Sequence, residues 1–129
     1  MPFKFSLQKI LDLRIQREDE AKQKLAQAKF EYQQQAKLVD SIKSELEKCL
    51  TKILTDKNIS QAEFWLWTEY EKGLKDDLLA AEQQLQLLGQ KVNRLRQELI
   101  NKSKERKLLE KFKQKQAEKY EYEQRQKEQ

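Results

Sequence analysis

The sequence predicts an all-α protein, folded as an antiparallel two-helix coiled-coil hairpin. The first observation is a shortage of turn formers: the 129 residues include 2 glycines and 1 proline, whereas turns draw on Gly, Pro, Asn and Asp. The second is an abundance of Gln, Lys, Glu, Leu, Ala and Arg, which are good helix formers. The third is a heptad pattern of apolar residues along both halves of the chain, as coiled coils require.

The first predicted helix spans residues 6–56 and carries a long heptad seam, with Ser6 as its N-cap. Steps of four and three residues from Leu7 reach fourteen positions, of which eleven are apolar. The polar exceptions are Arg14, Glu18 and Gln35. The apolar positions are Leu7, Leu11, Ala21, Leu25, Ala28, Tyr32, Val39, Ile42, Leu46, Cys49 and Ile53.

The connection between the helices is predicted as a tight turn at residues 57–59. It lies in the one turn-rich stretch of the chain, residues 55–60. Asn58 is expected to adopt the left-handed conformation that closes a helix. Ser60 and Glu63 have the spacing of a capping box, in which each side chain accepts a hydrogen bond from a backbone N–H near the other. The second helix is therefore predicted from residue 60 to about 125.

The second helix carries a seam of its own. Phe64 and Trp67 are in phase with it and are expected to plug the end of the coiled coil. The seam continues without a polar interruption through Leu74, Leu78, Ala81, Leu85, Leu88, Val92, Leu95 and Leu99. Beyond residue 99 the same positions become mostly polar, so the pairing of the helices is expected to weaken there.

The short connection favours antiparallel neighbours, and folding the chain about residue 57 sets residue i near 114 − i. Leu7 is then expected opposite Leu108 or Leu109. Glu18 is expected near Arg94 and Arg96. Residues 1–129 are interpreted as a single hairpin whose C-terminal part overhangs the first helix, and the pattern stops without a cap, as in a truncated chain. A monomer is expected, and the alternatives are a larger bundle or a parallel homodimer with its two copies of Cys49 side by side.

The composition argues against catalysis and against a membrane span. The sequence has no histidine and a single cysteine, Cys49. It therefore lacks the side chain that titrates near neutral pH, and it offers neither an intrachain disulfide nor a thiolate metal site. No apolar run approaches the ~18 residues of a membrane helix, and no signal peptide is recognised at the N-terminus. We expect a cytoplasmic protein that is not an enzyme, with no cofactor and no metal.

Charge is unevenly distributed along the chain. Residues 91–115 have a net charge of +7, whereas residues 55–90 have −4. In the predicted hairpin the open end is therefore basic, which suits an acidic protein surface. A merely solvated charged face remains the plain alternative. Nucleic acid is disfavoured because Lys and Glu are interleaved and no basic region leads into a zipper.

Aromatic residues cluster where the second helix begins. Trp65, Leu66 and Tyr70 are out of phase with the seam and are expected to point away from the first helix. Exposed Trp and Tyr side chains dominate the energetics of protein interfaces, so this cluster is a candidate partner site. The alternative is that the cluster folds over the turn and packs on nearby apolar residues, namely Leu50, Leu54 and Ile59.

The N-terminal pattern of residues 3–14, Phe-Lys-Phe-Ser-Leu-Gln-Lys-Ile-Leu-Asp-Leu-Arg, resembles the opening of the FliJ family. Glu18, the aromatic-led second helix and the Lys/Glu/Gln-rich tail with Tyr120 are also similar to that family. The resemblance implies a coiled-coil component of the bacterial flagellar type III export apparatus. Injectisome proteins of the YscO type and the γ-subunit stalk of rotary ATPases are similar to this family.

The resemblance also implies partners: a hexameric export ATPase (FliI-like), an export-gate protein (FlhA-like) and export chaperones. It implies a place in the cytoplasm, peripheral to the membrane export apparatus. The ATPase-ring contact is expected at the basic open end, at Arg14, Arg17, Arg94, Arg96, Lys102, Arg106 and Lys107. The gate or other partner contact is expected at the tip and outer face, at Leu38, Glu45, Trp65, Leu66, Tyr70 and Leu74. The alternative functions are a generic coiled-coil scaffold or tether and a nucleic-acid-associated coiled coil.

Overall fold

Two long helices make up the fold. The computed structural model describes residues 2–129 and contains α1 (Gln8–Thr55) and α2 (Gln61–Glu128). Residues early in α1 contact residues late in α2, as the Lys113–Gln8 hydrogen bond shows, and no strand occurs within residues 2–129. The predicted all-α antiparallel hairpin is confirmed.

The two helices together form two compact units, which are described in turn. Unit 1 comprises the described residues up to Gln27 together with Asn93–Gln129, and unit 2 comprises Ala28–Val92. Each unit contains a stretch of both helices. The model contains no helix within residues 2–129 that is long and apolar enough to cross a membrane.

The core of unit 1 is built from the seam residues and the segment that precedes α1. Phe5, Leu11 and Leu109 are buried together, with Leu7 and Phe3 packed against them. Leu7 and Leu109 thus belong to the same apolar cluster, whereas Leu108, the neighbour of Leu109, is 70% exposed. Each large apolar side chain removed from water stabilises the fold by roughly 1.5–3 kcal/mol.

One pairing predicted in unit 1 is wrong. Glu18 is the buried charged side chain of the described residues, and its partner across the helix pair is Arg106 rather than Arg94 or Arg96. The bonds between Lys113 and Gln8 and between Arg106 and Glu18 place residue i opposite a residue some seven to ten positions beyond 114 − i. The helices therefore slide by about two to three turns from a fold about residue 57, and in this register Leu11 and Leu109 are buried in one cluster.

Unit 2 holds the link between the helices. The N–H of Asn58 donates to Asp56 Oδ1 (3.0 Å), and no non-glycine residue of the described chain has a positive φ. The predicted left-handed Asn58 is therefore wrong, because the Asp56 carboxylate supplies the acceptor through a local side-chain turn. The Glu63 N–H donates to Ser60 Oγ (3.1 Å), which is the serine half of the predicted capping box.

The core of unit 2 follows both seams. Its buried apolar residues are Ala28, Val39, Cys49, Leu74, Ala81 and Val92. Ion pairs flank this core, between Lys91 and Glu31 (3.3 Å) and between Lys43 and Glu82 (3.9 Å). Phe64 is 48% exposed and so does not seal the core as predicted. Trp67, the other residue predicted to seal this end, is half-buried.

Candidate interaction surfaces

The two units carry net charges of opposite sign. Unit 1 carries 18 Lys and Arg against 11 Asp and Glu, a net charge of +7. Unit 2 carries 9 against 11, a net charge of −2. A concentration of one sign of charge on a small structure raises the local concentration of oppositely charged partners and speeds their association. Unit 1 is thus the part of the chain suited to an acidic partner.

All seven residues expected to contact the ATPase lie in unit 1, but they are not equivalent. The four exposed side chains are Arg17, Arg94, Arg96 and Lys107, and the three half-buried ones are Arg14, Lys102 and Arg106. Exposed cations on α1 and α2 can reach a partner without any rearrangement of the helix pair. The half-buried residues occupy seam positions, so part of each side chain packs between the helices.

Two of the half-buried arginines are already engaged within unit 1. Arg14 Nη1 donates to the Glu105 carbonyl oxygen (2.9 Å). Arg106 Nε donates to Glu18 Oε2, and its Nη1 donates to Glu110 Oε2 (2.8 Å). The hydrogen bonds to the two carboxylates raise the pKa of Arg106 above its ordinary value. Arg14 and Arg106 therefore hold the helix pair together, and the charge of Arg106 is already offset by two carboxylates.

Other cations of unit 1 have no such partner. Within residues 2–129, Arg17, Arg94, Lys102 and Lys107 form no ion pair. The same is true of three α2 lysines that the sequence reasoning did not select, Lys104, Lys111 and Lys115. The sequence indicates these lysines only through the net positive charge of residues 91–115. Charge alone does not distinguish a lysine that forms an ion pair from one that does not.

The six residues expected to contact the gate or another partner all lie in unit 2. Leu38, Glu45, Trp65, Leu66 and Tyr70 are exposed, with 61% and 60% of the surfaces of Trp65 and Leu66 open to solvent. Leu74 is 8% exposed and belongs to the core. Its seam position buries it against α1, so it supports the surface from below without forming part of it.

A shallow groove of about 530 Å³ brings three of these residues together. It is lined by Glu45, Lys48, Cys49, Leu66, Trp67 and Tyr70. The rings of Trp67 and Tyr70 meet edge to face, with centroids 6.0 Å apart. Trp65 lines an adjacent hollow with Gln61, Ala62 and Leu66. Because Leu54 is 81% exposed, the aromatic cluster does not fold over the turn onto it.

Two residues of the groove, Trp67 and Lys48, were missed as surface residues. Trp67 was assigned to the seam, and its indole is large enough to reach both the interior and the groove. Lys48 carries no signal in a sequence that has a lysine in nearly every turn. The groove combines aromatic faces with one acidic and one basic side chain, which suits a protein partner. No group of Cys, Asp or Glu residues within 2–129 is arranged to hold a metal ion.

The chain matches a known protein family over almost its whole length. The family model described as Flagellar FliJ protein matches residues 3–129. The match covers both units, and it begins with the Phe3–Arg14 pattern that resembles this family. Neither the curated proteins nor the solved structures gave a significant match to the chain.

Proposed function

The chain belongs to the FliJ family and is a component of the flagellar export apparatus, and from this premise we propose that it acts as a non-catalytic stalk. In this proposal unit 1 binds a hexameric export ATPase and stimulates its turnover. Unit 2 contacts the export gate, and export chaperones bind the same protein in exchange with these partners. The protein works as a monomer in the cytoplasm, at the periphery of the membrane export apparatus.

The observation that carries the proposal is the set of unpaired cations in unit 1. An ATPase ring surrounds a lumen, and a basic segment is attracted into it when acidic side chains line the wall. Arg17, Arg94 and Lys107 are exposed and form no ion pair within the described residues, so their charge is available to such a wall. Contacts that differ from one ATPase subunit to the next favour assembly and asymmetry of the ring.

The contact with the gate is assigned to the groove of unit 2. Tyr70 and Leu66 form its exposed apolar wall, and Glu45 stands at its rim. An aromatic side chain that sits in a partly formed groove loses little conformational freedom on binding, which is why such residues anchor interfaces. Leu38 and Trp65 are exposed in the same unit and extend the surface beyond the groove.

The ATPase assignment is tested with a charge reversal in unit 1. The variant Arg17→Glu, Arg94→Glu, Lys107→Glu changes exposed residues and leaves Arg14 and Arg106 in place. We expect helix content by circular dichroism to be preserved, and stimulation of ATP hydrolysis and of hexamer formation to fall by about tenfold or more. The matched control reverses three unit 2 lysines, Lys29, Lys37 and Lys57. Equal stimulation by the two variants would contradict the assignment.

The gate assignment is tested separately. Trp65→Ala and Tyr70→Ala are each expected to weaken binding to the cytoplasmic part of the gate protein by about tenfold, as truncation of an anchor does. The control is Leu79→Ala, an exposed leucine of unit 2 outside the groove. Titration calorimetry measures the affinity, and thermal unfolding shows whether each variant keeps its fold. Unchanged affinity in both aromatic variants removes the groove from the gate contact.

A further inference from the structure

Several large apolar side chains of unit 1 lie outside the seam and are exposed, among them two on α1 and two on α2. On α1 they are Ile10 (45% exposed) and Leu13 (44%). On α2 they are Leu108 (70%) and Phe112 (44%). Single exposed apolar residues are ordinary, but a group of them on one face is a sign of an interaction site.

Heptad geometry places these four residues on the same side of the helix pair. Ile10 and Phe112 each come one residue before a seam position, so both occupy the g position of their heptads. In an antiparallel pair the g positions of the two helices flank the same side of the seam. Leu13 lies three residues after Ile10, and Leu108 four residues before Phe112, so each shares the face of its neighbour on the same helix.

Contacts within unit 1 agree with this placement. The Phe112 ring meets Phe5 edge to face, with centroids 6.0 Å apart. Lys113 Nζ donates to Gln8 Oε1 (2.6 Å), so the start of α1 lies against this stretch of α2. Phe5 is buried beneath this side of the unit, which makes Phe112 the edge of the core as well as part of the exposed face.

The rim of this face is basic. Lys104 and Lys111 lie four residues before and three after Leu108, and Lys115 lies three residues after Phe112, so each lysine neighbours one of these apolar residues on the helix surface. Arg17 lies four residues after Leu13 in the same way. None of the four forms an ion pair within residues 2–129. One acidic residue, Glu105, also neighbours Leu108 on this side, because it lies three residues before it.

We propose that this face binds an amphipathic helix of a partner protein, with apolar anchors three and four residues apart and Asp or Glu along both flanks. The apolar anchors of the partner pack against the two rows of exposed side chains, in the way that amphipathic helices bind hydrophobic surfaces. The acidic flanks pair with the lysine rim, which fixes the orientation of the incoming helix and speeds its association. The partner helix becomes the third helix of unit 1.

Charge excludes a second copy of the chain as the preferred occupant. In a two-fold dimer each patch meets itself, and the unpaired lysines of one copy then approach those of the other. Like charges brought together across an interface oppose binding. An acidic helix instead satisfies both the apolar face and its rim.

The test uses the full chain and a labelled synthetic helix of about 18 residues, with leucines at three- and four-residue spacing and glutamates elsewhere. Fluorescence anisotropy measures its affinity. Leu108→Ser and Ile10→Ser are each expected to weaken binding by about fivefold to tenfold, because they remove anchors that the native fold leaves exposed. The matched control is Leu87→Ser, a 59% exposed leucine of unit 2. No binding of the acidic helix, or equal losses in all three variants, overturns the proposal.

The rim is tested in the same assay. Lys104→Gln, Lys111→Gln, Lys115→Gln is expected to weaken binding by about tenfold and to reduce its dependence on salt, whereas Lys29→Gln, Lys37→Gln, Lys57→Gln leaves both unchanged. A helix with lysines in place of the glutamates is expected not to bind. Self-association of the chain, or adsorption to vesicles of anionic lipid, that Leu108→Ser abolishes would assign the face to that occupant instead and overturn the proposal. Because no ATPase or gate protein is present, the result stands apart from the fate of the proposed function.

Discussion

Arg106 of α2 lies across the helix pair from Glu18 of α1 and donates its Nε hydrogen to the Glu18 carboxylate. Lys22 Nζ approaches the other carboxylate oxygen of Glu18 at 3.3 Å, and Glu110 accepts from the far side of the guanidinium. Glu18 is 4% exposed, so this is a charge held between the helices with its hydrogen-bonding capacity used. A buried charge of this kind favours the one alignment of the helices that satisfies it.

Removal of Glu18 is predicted to destabilise the fold strongly. In Glu18→Ala the half-buried guanidinium of Arg106 loses its principal partner, and we expect the free energy of unfolding to fall by about 3 kcal/mol. Chemical denaturation followed by circular dichroism measures the loss. Asp19→Ala, at the neighbouring exposed position, is the control and is expected to change stability by less than about 0.5 kcal/mol. Equal effects in the two variants would show that the Glu18 pair is not structural.

Replacement of both partners is predicted to act differently from removal of one. The variant Glu18→Leu, Arg106→Leu fills both seam positions with apolar side chains, and its stability is expected to equal or exceed that of the parent chain. Alignment is expected to become less specific, because leucines pack acceptably in several registers and in dimers. Sedimentation equilibrium detects the dimers, and a purely monomeric double variant would argue against a role of the pair in specificity.

Stability is predicted to fall in acid, with Glu18 as one cause. The hydrogen bond from Arg106 is the largest of the effects that lower the pKa of Glu18 below its ordinary value of 4.5. A carboxyl whose pKa is lower in the folded state stabilises the fold above its unfolded pKa, and this contribution is lost as pH falls through the folded pKa. Unfolding free energies measured at several pH values below 4.5 and near neutrality are expected to decline towards acid, and less steeply in Glu18→Gln. Parallel profiles of the two proteins would refute the assignment.

The Cys49 thiol is predicted to be unreactive in the folded protein. It is 1% exposed, it lies 3.5 Å from the Trp67 carbonyl oxygen, and burial followed by the charge of Glu71 raises its pKa. Reaction with a thiol reagent is therefore expected to be at least about a hundredfold slower than in denaturant, since it needs local opening and a thiolate. Cys49→Ala combined with Ser44→Cys moves the thiol to an exposed site on the same helix and is expected to react at once. Rapid labelling of native Cys49 would show that the helices do not hold it closed.

The two glycines of α2 are predicted to be sites where alanine stabilises the protein. Both lie inside the helix, and neither has a positive φ. A Cβ at Gly73 meets nothing within 4 Å, and one at Gly89 meets Tyr32 Cε2 at 3.4 Å, an ordinary contact. Gly73→Ala is expected to raise the free energy of unfolding by about 1 kcal/mol, and Gly89→Ala by a similar or smaller amount. A loss of stability at Gly73 would mean that the glycine serves a purpose other than helix formation.

The heptad pattern predicted the fold because burial between two helices depends on residue type and spacing alone. The positions it selected, such as Leu11, Ala28 and Leu109, are buried in the structure. The register was less predictable. It depends on how Leu11 and Leu109 pack and on where Glu18 finds a cation, and several alignments of two regular seams are nearly equivalent until side chains are placed.

The candidate surfaces were only partly predictable. Trp65 and Tyr70 were selected because they are aromatic and out of phase, and both are exposed. The face around Leu108 and Phe112 was not selected, because it takes residues from both helices and becomes visible only when the register is known. In the same way, a count of charges along the sequence treats Arg106 as a free cation. In the structure it is paired with two carboxylates, one on each helix.

The link between α1 and α2 has a practical consequence. No residue of the link, which joins Thr55 to Gln61, has a positive φ, and the conformation of the link depends on the Asp56 and Ser60 side chains. Apart from Asp56 and Ser60, no position of the link is tied to one amino acid by these contacts, and doubling the length of a flexible loop costs only about 0.6 kcal/mol. An epitope or a fluorophore-binding peptide spliced between Asn58 and Ile59 leaves the Asp56–Asn58 hydrogen bond and the Ser60 cap in place and should thus be accommodated, which offers a way to watch the protein in living cells.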